Sequence, residues 1–163
     1  MPIEPDEDEA TRLNRNFDDL LQELRVSQNG TQILFAFLLT VPFSNGFTKT
    51  TDFQRGLYLT TLLLAALSAA MLIAPAVMHR VLFHKHLKAQ LVHVASRIAL
   101  GGQALLTLTV NGAVLLVADY IYSLTVAIPL GVVTLLWWVG WFFAVPLGMK
   151  ARYGNRASTT SST

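Results

Sequence analysis

Apolar residues along the chain occur in four long, nearly continuous runs, with neither the alternation of a strand nor the regular stripe of a soluble helix. The runs extend over residues 26–43, 56–78, 98–118 and 124–147. A helix needs about 20 apolar residues to cross a hydrocarbon core. Backbone groups in lipid must also be hydrogen-bonded within a helix or a closed barrel. We therefore predict an all-α fold, an integral membrane four-helix bundle in which the transmembrane domain covers residues 26–147.

A shorter amphipathic pattern precedes the first run. Its apolar side chains recur at helical spacing and form one stripe, namely Leu13, Phe17, Leu20, Leu21 and Leu24. This pattern predicts an N-terminal amphipathic cytoplasmic helix over residues 11–25, which either runs into the first span or docks on the bundle. Residues 1–10 are acidic and are expected to be disordered. Residues 148–163 are predicted to be a basic and then Ser/Thr-rich cytoplasmic tail.

Local signals predict how the helices are joined and packed. Thr51 and Gln54 have the spacing of a capping box that opens the second span. Only five residues, 119–123, separate the third and fourth runs, so these spans should be antiparallel neighbours. Ala66, Ala70 and Ala74 form a small-xxx-small series, which allows close helix approach. The series suits either the bundle interior or a dimer seam.

Charge places both termini in the cytoplasm. Ten of the twelve Lys and Arg residues precede the first run, follow the fourth or lie between the second and third, while Lys49 and Arg55 lie on the other side. Short loops rich in Lys and Arg stay in the cytoplasm. The chain is 53% hydrophobic and 13% charged, which excludes an ordinary soluble domain. A net charge of +2 gives no support for nucleic-acid binding.

Polar side chains at membrane depth are the first candidates for function. Gln103, Thr107 and Asn111 share one face of the third span, and Arg25, Gln28, Asn29 and Gln32 share one face at the first span. They suit either a path for an ion or a proton or, as we favour, interhelical hydrogen bonding. Cation antiporters typically use a carboxylate at depth, and no acidic residue lies between Asp52 and Asp119.

A cytoplasmic cluster of His79, Arg80 and Arg97 is the second candidate surface. His84, His86 and His93 lie near it, but no i, i+4 histidine pair is present, so we predict no metal site and no cofactor. Lys and Arg here suit contact with anionic lipid headgroups. Arg80 and Arg97 are also placed to pair with Glu23, Asp18 or Asp19, which would fix the amphipathic helix to the bundle.

Several segments resemble a known family. They are residues 15–26 (RNFDDLLQELRV), Gly30, residues 32–35 (QILF), Pro42-Phe43, Ala74-Pro75, His79-Arg80 and Phe83. They resemble a domain of unknown function found in small four-span bacterial, mainly actinobacterial, membrane proteins, over roughly residues 15–150. The resemblance implies a location in the bacterial cytoplasmic membrane and transfers no catalytic residue. Members of this family are often labelled sodium:proton antiporters, a label that conflicts with the missing carboxylate.

These observations lead us to expect a non-enzymatic accessory or interaction protein in contact with the lipid bilayer. Its further partners would be copies of itself or a larger membrane complex, and no nucleic acid is expected. The surfaces we favour are Glu23, Arg25, Gln28 and Gln32, together with the cytoplasmic cluster. The alternative is a cation/proton transporter, working as an oligomer through Gln103, Thr107 and Asn111. An enzyme acting on lipid would use His79 or His86 as its base, but no nucleophile is apparent.

Overall fold

Four α-helices make up most of the chain that the structure describes. The computed structural model describes residues 9–82 and 88–141, with side chains described at residue 15 and over 19–78, 80 and 94–141. The helices are α1 (Glu9–Thr40), α2 (Asp52–Leu82), α3 (Lys88–Ile121) and α4 (Leu124–Val139), and two short 3-10 turns, Val41–Phe43 and Phe47–Lys49, join α1 to α2. No strand occurs in the described part of the chain, so the predicted all-α class is confirmed.

Among the described residues, two segments are long and apolar enough to cross a membrane by length and composition. They are Asp52–Met78, with 27 residues, and Val94–Ile121, with 28. The described part of α4 is apolar but shorter, and the predicted continuation over 142–147 lies outside the described residues. The first run does not form a helix throughout, because α1 ends at Thr40 and Val41–Phe43 forms a 3-10 turn with Pro42 in it.

Helix α1 joins the amphipathic segment to the first apolar run without a break. Its 32 residues include the amphipathic segment and the first run as far as Thr40. Leu24, on the amphipathic stripe, is buried against Leu72 of α2 and Ala99 of α3, and Leu20 packs beside them. The helix that carries the stripe therefore continues into the first run, and the stripe's Leu20 and Leu24 pack on the next two helices.

The chain divides into two compact units, Met1–Val110 and Asn111–Thr163, and α3 runs through the boundary. In the first unit α1 and α2 are antiparallel. The Tyr58 hydroxyl donates to the Leu38 carbonyl at 3.0 Å near one end, and the Gln28 amide donates to the Leu72 carbonyl at 2.7 Å near the other. Tyr58 also makes an edge contact with Phe47, which holds the connecting segment against α2.

The start of α2 has the predicted capping box. The Thr51 backbone N–H donates to Gln54 Oε1 at 3.1 Å, and the Gln54 backbone N–H donates to Thr51 Oγ1 at 3.2 Å. Two N–H groups that a helix start leaves without intrahelical acceptors are thereby satisfied. The spacing alone predicted this cap, because both bonds form between residues three apart.

Helices α2 and α3 lie close together at Gly102. A Cβ built on Gly102 would lie 2.9 Å from Leu72 Cγ and 3.3 Å from the Leu72 backbone nitrogen. Ser68 Oγ donates to the Gly102 carbonyl at 2.8 Å. A serine side chain is short, so it reaches a carbonyl of a neighbouring helix only where the two backbones lie close together.

The buried face of α2 is not the one that the alanine series predicted. Ala65, Ser68, Leu72 and Pro75 are buried, whereas Ala66 and Ala70 are exposed and Ala74 is half-buried. Placing the series in the bundle interior is therefore wrong for Ala66 and Ala70. A spacing of four residues identifies a face, but the buried face here starts one residue earlier and advances by three or four.

The second unit contains an antiparallel helix pair. Asn111 contacts Thr134, Leu115 lies against Gly131, and only Tyr122 and Ser123 separate α3 from α4. As residue numbers rise along α3, those of the contacting residues fall along α4. The predicted antiparallel packing of these two helices is confirmed by these contacts.

Replacing Gly102 with alanine should destabilise the protein, and the same change at Gly56 should not. Alanine is favoured over glycine in a helix by about 1 kcal/mol, and a Cβ at Gly56 meets nothing within 4 Å. At Gly102 the added methyl must displace Leu72, and overpacking of this kind costs about 1–3 kcal/mol. Thermal unfolding in mild detergent should show a lower melting temperature for Gly102→Ala only; equal melting temperatures would contradict the close approach.

Candidate functional site

Polar side chains from three helices meet at one level of the first unit. We call this group the three-helix polar cluster. It consists of the side chains of Ser27, Gln28, Ser68 and Gln103 and the backbone carbonyls of Leu72 and Gly102. The Gln103 amide nitrogen donates to Ser27 Oγ at 2.7 Å, which links α3 to α1. The Gln28 and Ser68 bonds described above link α1 to α2 and α2 to α3. Within this cluster, one side-chain hydrogen bond thus joins each pair of the three helices.

The Gln28 bond is made beside a proline. Pro75 is buried inside α2, and its ring lacks the N–H that would donate to the Met71 carbonyl. The Leu72 carbonyl, which accepts from Gln28, belongs to the next residue. Neighbouring helices commonly supply hydrogen bonds where proline interrupts an apolar helix. Gln28 therefore has a structural role at the turn of α2 where Pro75 removes a backbone hydrogen bond.

Buried threonine hydroxyls are satisfied within their own helices. Thr31, Thr61 and Thr109 are fully buried, and each donates at 2.8 Å to the carbonyl four residues before it. Thr107 does the same to Gln103 at 3.0 Å. Such back-bonding lets a hydroxyl lie in an apolar interior without another partner. Over the described residues every buried side-chain nitrogen or oxygen has a hydrogen-bond partner.

Asn111 has a partner in the second unit that its spacing did not identify. Thr134 Oγ1 lies 2.6 Å from Asn111 Oδ1, and it also lies 3.0 and 3.1 Å from the carbonyls of Leu130 and Gly131. The hydroxyl has one proton, so it serves one of these acceptors at a time. The amide side chain of Asn111 joins α3 to α4.

The four residues predicted to share a face of α1 divide between two environments. Gln28 is half-buried and contacts α2, whereas Arg25, Asn29 and Gln32 are exposed. Glu23 is exposed as well. The reason is geometric: these positions spread over about a third of the helix circumference at 3.6 residues per turn, and only the edge that carries Gln28 turns toward α2.

Arg80 and Arg97 form no ion pair with the acidic side chains of α1 that the structure describes. Arg80 and Arg97 are exposed, as are Asp19 and Glu23, and within the described side chains no ion pair joins either arginine to either carboxylate. The Asp18 side chain lies outside the described residues. The side chains of His79 and of the other three histidines also lie outside them, so the histidine cluster stays a prediction.

Sequence reasoning missed four contributors, namely Ser27, Ser68, Gly102 and Thr134. Ser27 directly precedes Gln28, and Thr134 is one of two threonines in the fourth run, so polarity within an apolar run was the available signal. The choice of partner was not available, because spacing along one helix does not determine which face of another helix it meets. Gly102 is the second of two adjacent glycines, and only the close approach distinguishes it.

A family comparison places the chain among its relatives. The model of a family of unknown function, DUF6328, matches residues 6–146. The chain belongs to this family. The matched range includes all the described residues of the four helices, and the family carries no assigned activity. No curated protein and no solved structure matches the chain.

The chemistry of these contacts suits helix association. Amide and hydroxyl groups donate and accept hydrogen bonds but do not titrate near neutral pH. Gln28, Gln103 and Asn111 each contact a group on a neighbouring helix, and Thr107 contacts its own helix. The predicted stripe of Gln103, Thr107 and Asn111 therefore consists of groups that are already hydrogen-bonded.

The Asn111–Thr134 contact should be measurable as a coupling energy. We expect a double-mutant cycle with Asn111→Leu and Thr134→Val to give about 0.6 kcal/mol, the average for hydrogen bonds between membrane helices, with about 1.7 kcal/mol as the upper limit. The measurement is the free energy of unfolding in a detergent titration. The control cycle combines Asn111→Leu with Thr125→Val. Thr125 lies near the start of α4 and more than two turns from Thr134, so its coupling should be near zero; equal coupling in both cycles would contradict the contact.

Proposed function

We propose that the chain is a polytopic integral membrane protein of the bacterial cytoplasmic membrane, with spans over residues 26–43, 56–78, 98–118 and 124–147. One observation carries this proposal: most of the large apolar side chains of the described helices are exposed, and small side chains and threonines make up most of the buried ones. The buried residues of the described helices include Ala65, Ala95, Ala99, Thr31, Thr61, Ser68 and Thr109. The strongly exposed ones include Ile33, Phe37, Leu63, Leu67, Leu100, Val133, Leu136 and Trp137.

This distribution is the reverse of that in a soluble protein. In water, large aliphatic side chains are the residues most often buried, and extended apolar surfaces are rare on monomers. In a bilayer the lipid tails are as apolar as leucine, so helices associate through small residues and hydrogen bonds. Both features occur here, at Gly102 and in the three-helix polar cluster.

Both termini are proposed to be cytoplasmic. Arg15, Arg25, Arg80 and Arg97 belong to the basic majority on one side, and all four are exposed. Asn45, between α1 and α2, is exposed and would lie on the outer side. Exposed arginines at this end of the helices suit anionic headgroups, which attract each basic residue by about 1 kcal/mol near the surface.

Within the membrane we propose a non-enzymatic accessory or interaction role. Supporting it, the polar groups of the helices serve interhelical bonds or their own backbone, while Glu23, Arg25 and Gln32 remain on the surface. The alternative stays a cation/proton transporter that uses Gln103, Thr107 and Asn111 in an oligomer. For that role the same groups would have to exchange their present partners for an ion.

Membrane insertion can be tested with single cysteines, because the chain has none of its own. Leu67 is 56% exposed, so a cysteine placed there would react with a water-soluble maleimide if water surrounded it. We expect Leu67→Cys to stay unlabelled in intact and in permeabilised cells, and to be labelled after denaturation in detergent. Labelling in permeabilised cells without denaturation would contradict insertion of α2.

Orientation has its own pair of variants. Asn45→Cys and Gln22→Cys both replace exposed polar residues. With a membrane-impermeant maleimide, Asn45→Cys should be labelled in intact cells and Gln22→Cys only after permeabilisation. The reverse order would invert the topology and contradict the placement of both termini.

The accessory role predicts a stable companion. Purification of the tagged protein from its native membrane in a gentle detergent, with mass and composition measured together, should give a stoichiometric complex with another membrane protein. A homo-oligomer without any companion would contradict the accessory role. Cation flux in liposomes that is lost in Asn111→Leu would then establish the transporter instead.

A further inference from the structure

One stripe of α1 faces away from α2 and α3 along its whole described length. Its members are spaced alternately by three and four residues, the spacing of a coiled-coil seam. We call it the outer stripe of α1; it consists of Gln22, Arg25, Asn29, Gln32, Ala36 and Leu39, and all six are exposed. It differs from the other exposed apolar faces because it has two amide side chains in its middle.

The register of the first unit gives the depth of these amides. Gln28 contacts Leu72 and Leu38 contacts Tyr58, so Gln32 lies beside α2 at about residue 66, close to the middle of Asp52–Met78. The contact between α1 and α3 gives the same depth for Gln32. Ser27 contacts Gln103, α1 and α3 both run antiparallel to α2, and Leu108, the residue on α3 level with Gln32, lies at the middle of Val94–Ile121.

Amides at that depth need partners. Asn29 and Gln32 are exposed, and neither side chain makes a hydrogen bond or other polar contact with any residue that the structure describes. Hydrocarbon offers neither donors nor acceptors, and an unsatisfied polar group there costs several kcal/mol. A helix with hydrogen-bonding groups at the same level would remove that cost.

We propose that a second copy of the chain covers the outer stripe of α1, in a parallel, two-fold symmetric pair with Asn29 and Gln32 opposite their counterparts. An amide both donates and accepts, so a two-fold axis lets each amide bond with its own equivalent. A polar residue on such a seam also determines register and the number of helices. This inference rests on the proposed function, since only a bilayer makes partners for these amides necessary.

The rest of the stripe fits the same arrangement. Ala36 is small and allows the two helices to approach closely on the outer side of the amides. By the same register Arg25 lies beside α2 at about residue 76, less than one turn before the α2 span ends at Met78, so its long side chain can extend the guanidinium group to the water interface.

Disulfide cross-linking in native membranes tests the pair directly. Ala36→Cys places a cysteine on the outer stripe, and Ala70→Cys is the matched control, an exposed alanine on an apolar face of α2. On mild oxidation we expect a cross-linked dimer for Ala36→Cys and monomer for Ala70→Cys. A dimer through Ala70→Cys alone would overturn the proposal in favour of the alanine series, and monomer for both would overturn it as well.

The role of the amides has a separate test. In the Ala36→Cys background, Asn29→Leu with Gln32→Leu should weaken association roughly tenfold, the loss of two interhelical hydrogen bonds, measured as cross-linking yield over a lipid dilution series. Gln22→Leu, on the same stripe but at its polar end, should leave the yield unchanged. If the amides faced lipid, leucine would leave the yield unchanged too, and that result would overturn the proposal.

The failures of this inference and of membrane insertion are distinguishable. Alkaline carbonate extraction of each variant reports insertion independently of association. Protein that stays in the membrane but remains monomeric contradicts the pair alone, whereas protein released by carbonate contradicts the proposed function. A cross-link from Ala36→Cys to a different protein would overturn the second copy as the occupant.

Discussion

The close approach of α2 and α3 at Gly102 is the constraint on which the first unit depends. It brings a helix carbonyl within reach of Ser68, and it sets the height at which Gln103 meets Ser27 and Gln28 meets Leu72. A larger residue at Gly102 would separate the helices at the level where all three bonds form. The small size of Gly102 thus determines polar contacts that involve three helices.

Hydrogen bonds contribute much of the helix association that apolar burial provides in a soluble protein. The apolar cluster of fully buried side chains is small, with Leu24, Leu72 and Ala99 at its centre. Around it, hydroxyl groups bond back to their own helices and amides reach across to the next. If the protein lies in a bilayer, as we propose, this is the expected division, because lipid competes equally well for leucine but cannot satisfy an amide.

Local sequence signals predicted local structure well. The helical class, the Thr51–Gln54 cap and the tight turn between α3 and α4 each depend on residues close together in the chain, where spacing and chemistry are enough. The partner of each polar side chain on a neighbouring helix could not be predicted from the sequence. Nothing in the spacing of Asn111 points to Thr134, and the alanine series lay on the exposed side of α2 because periodicity does not say which face is covered.

The unbroken course of α1 has a mechanical consequence. Its 32 residues extend over about 48 Å at 1.5 Å per residue, while a hydrocarbon core is about 30 Å thick. In the proposed topology more than a third of the helix projects into the cytoplasm as a rigid arm. Because the helix is continuous from Glu9 to Thr40, a force applied to this arm would be transmitted into the membrane-embedded part without an intervening hinge.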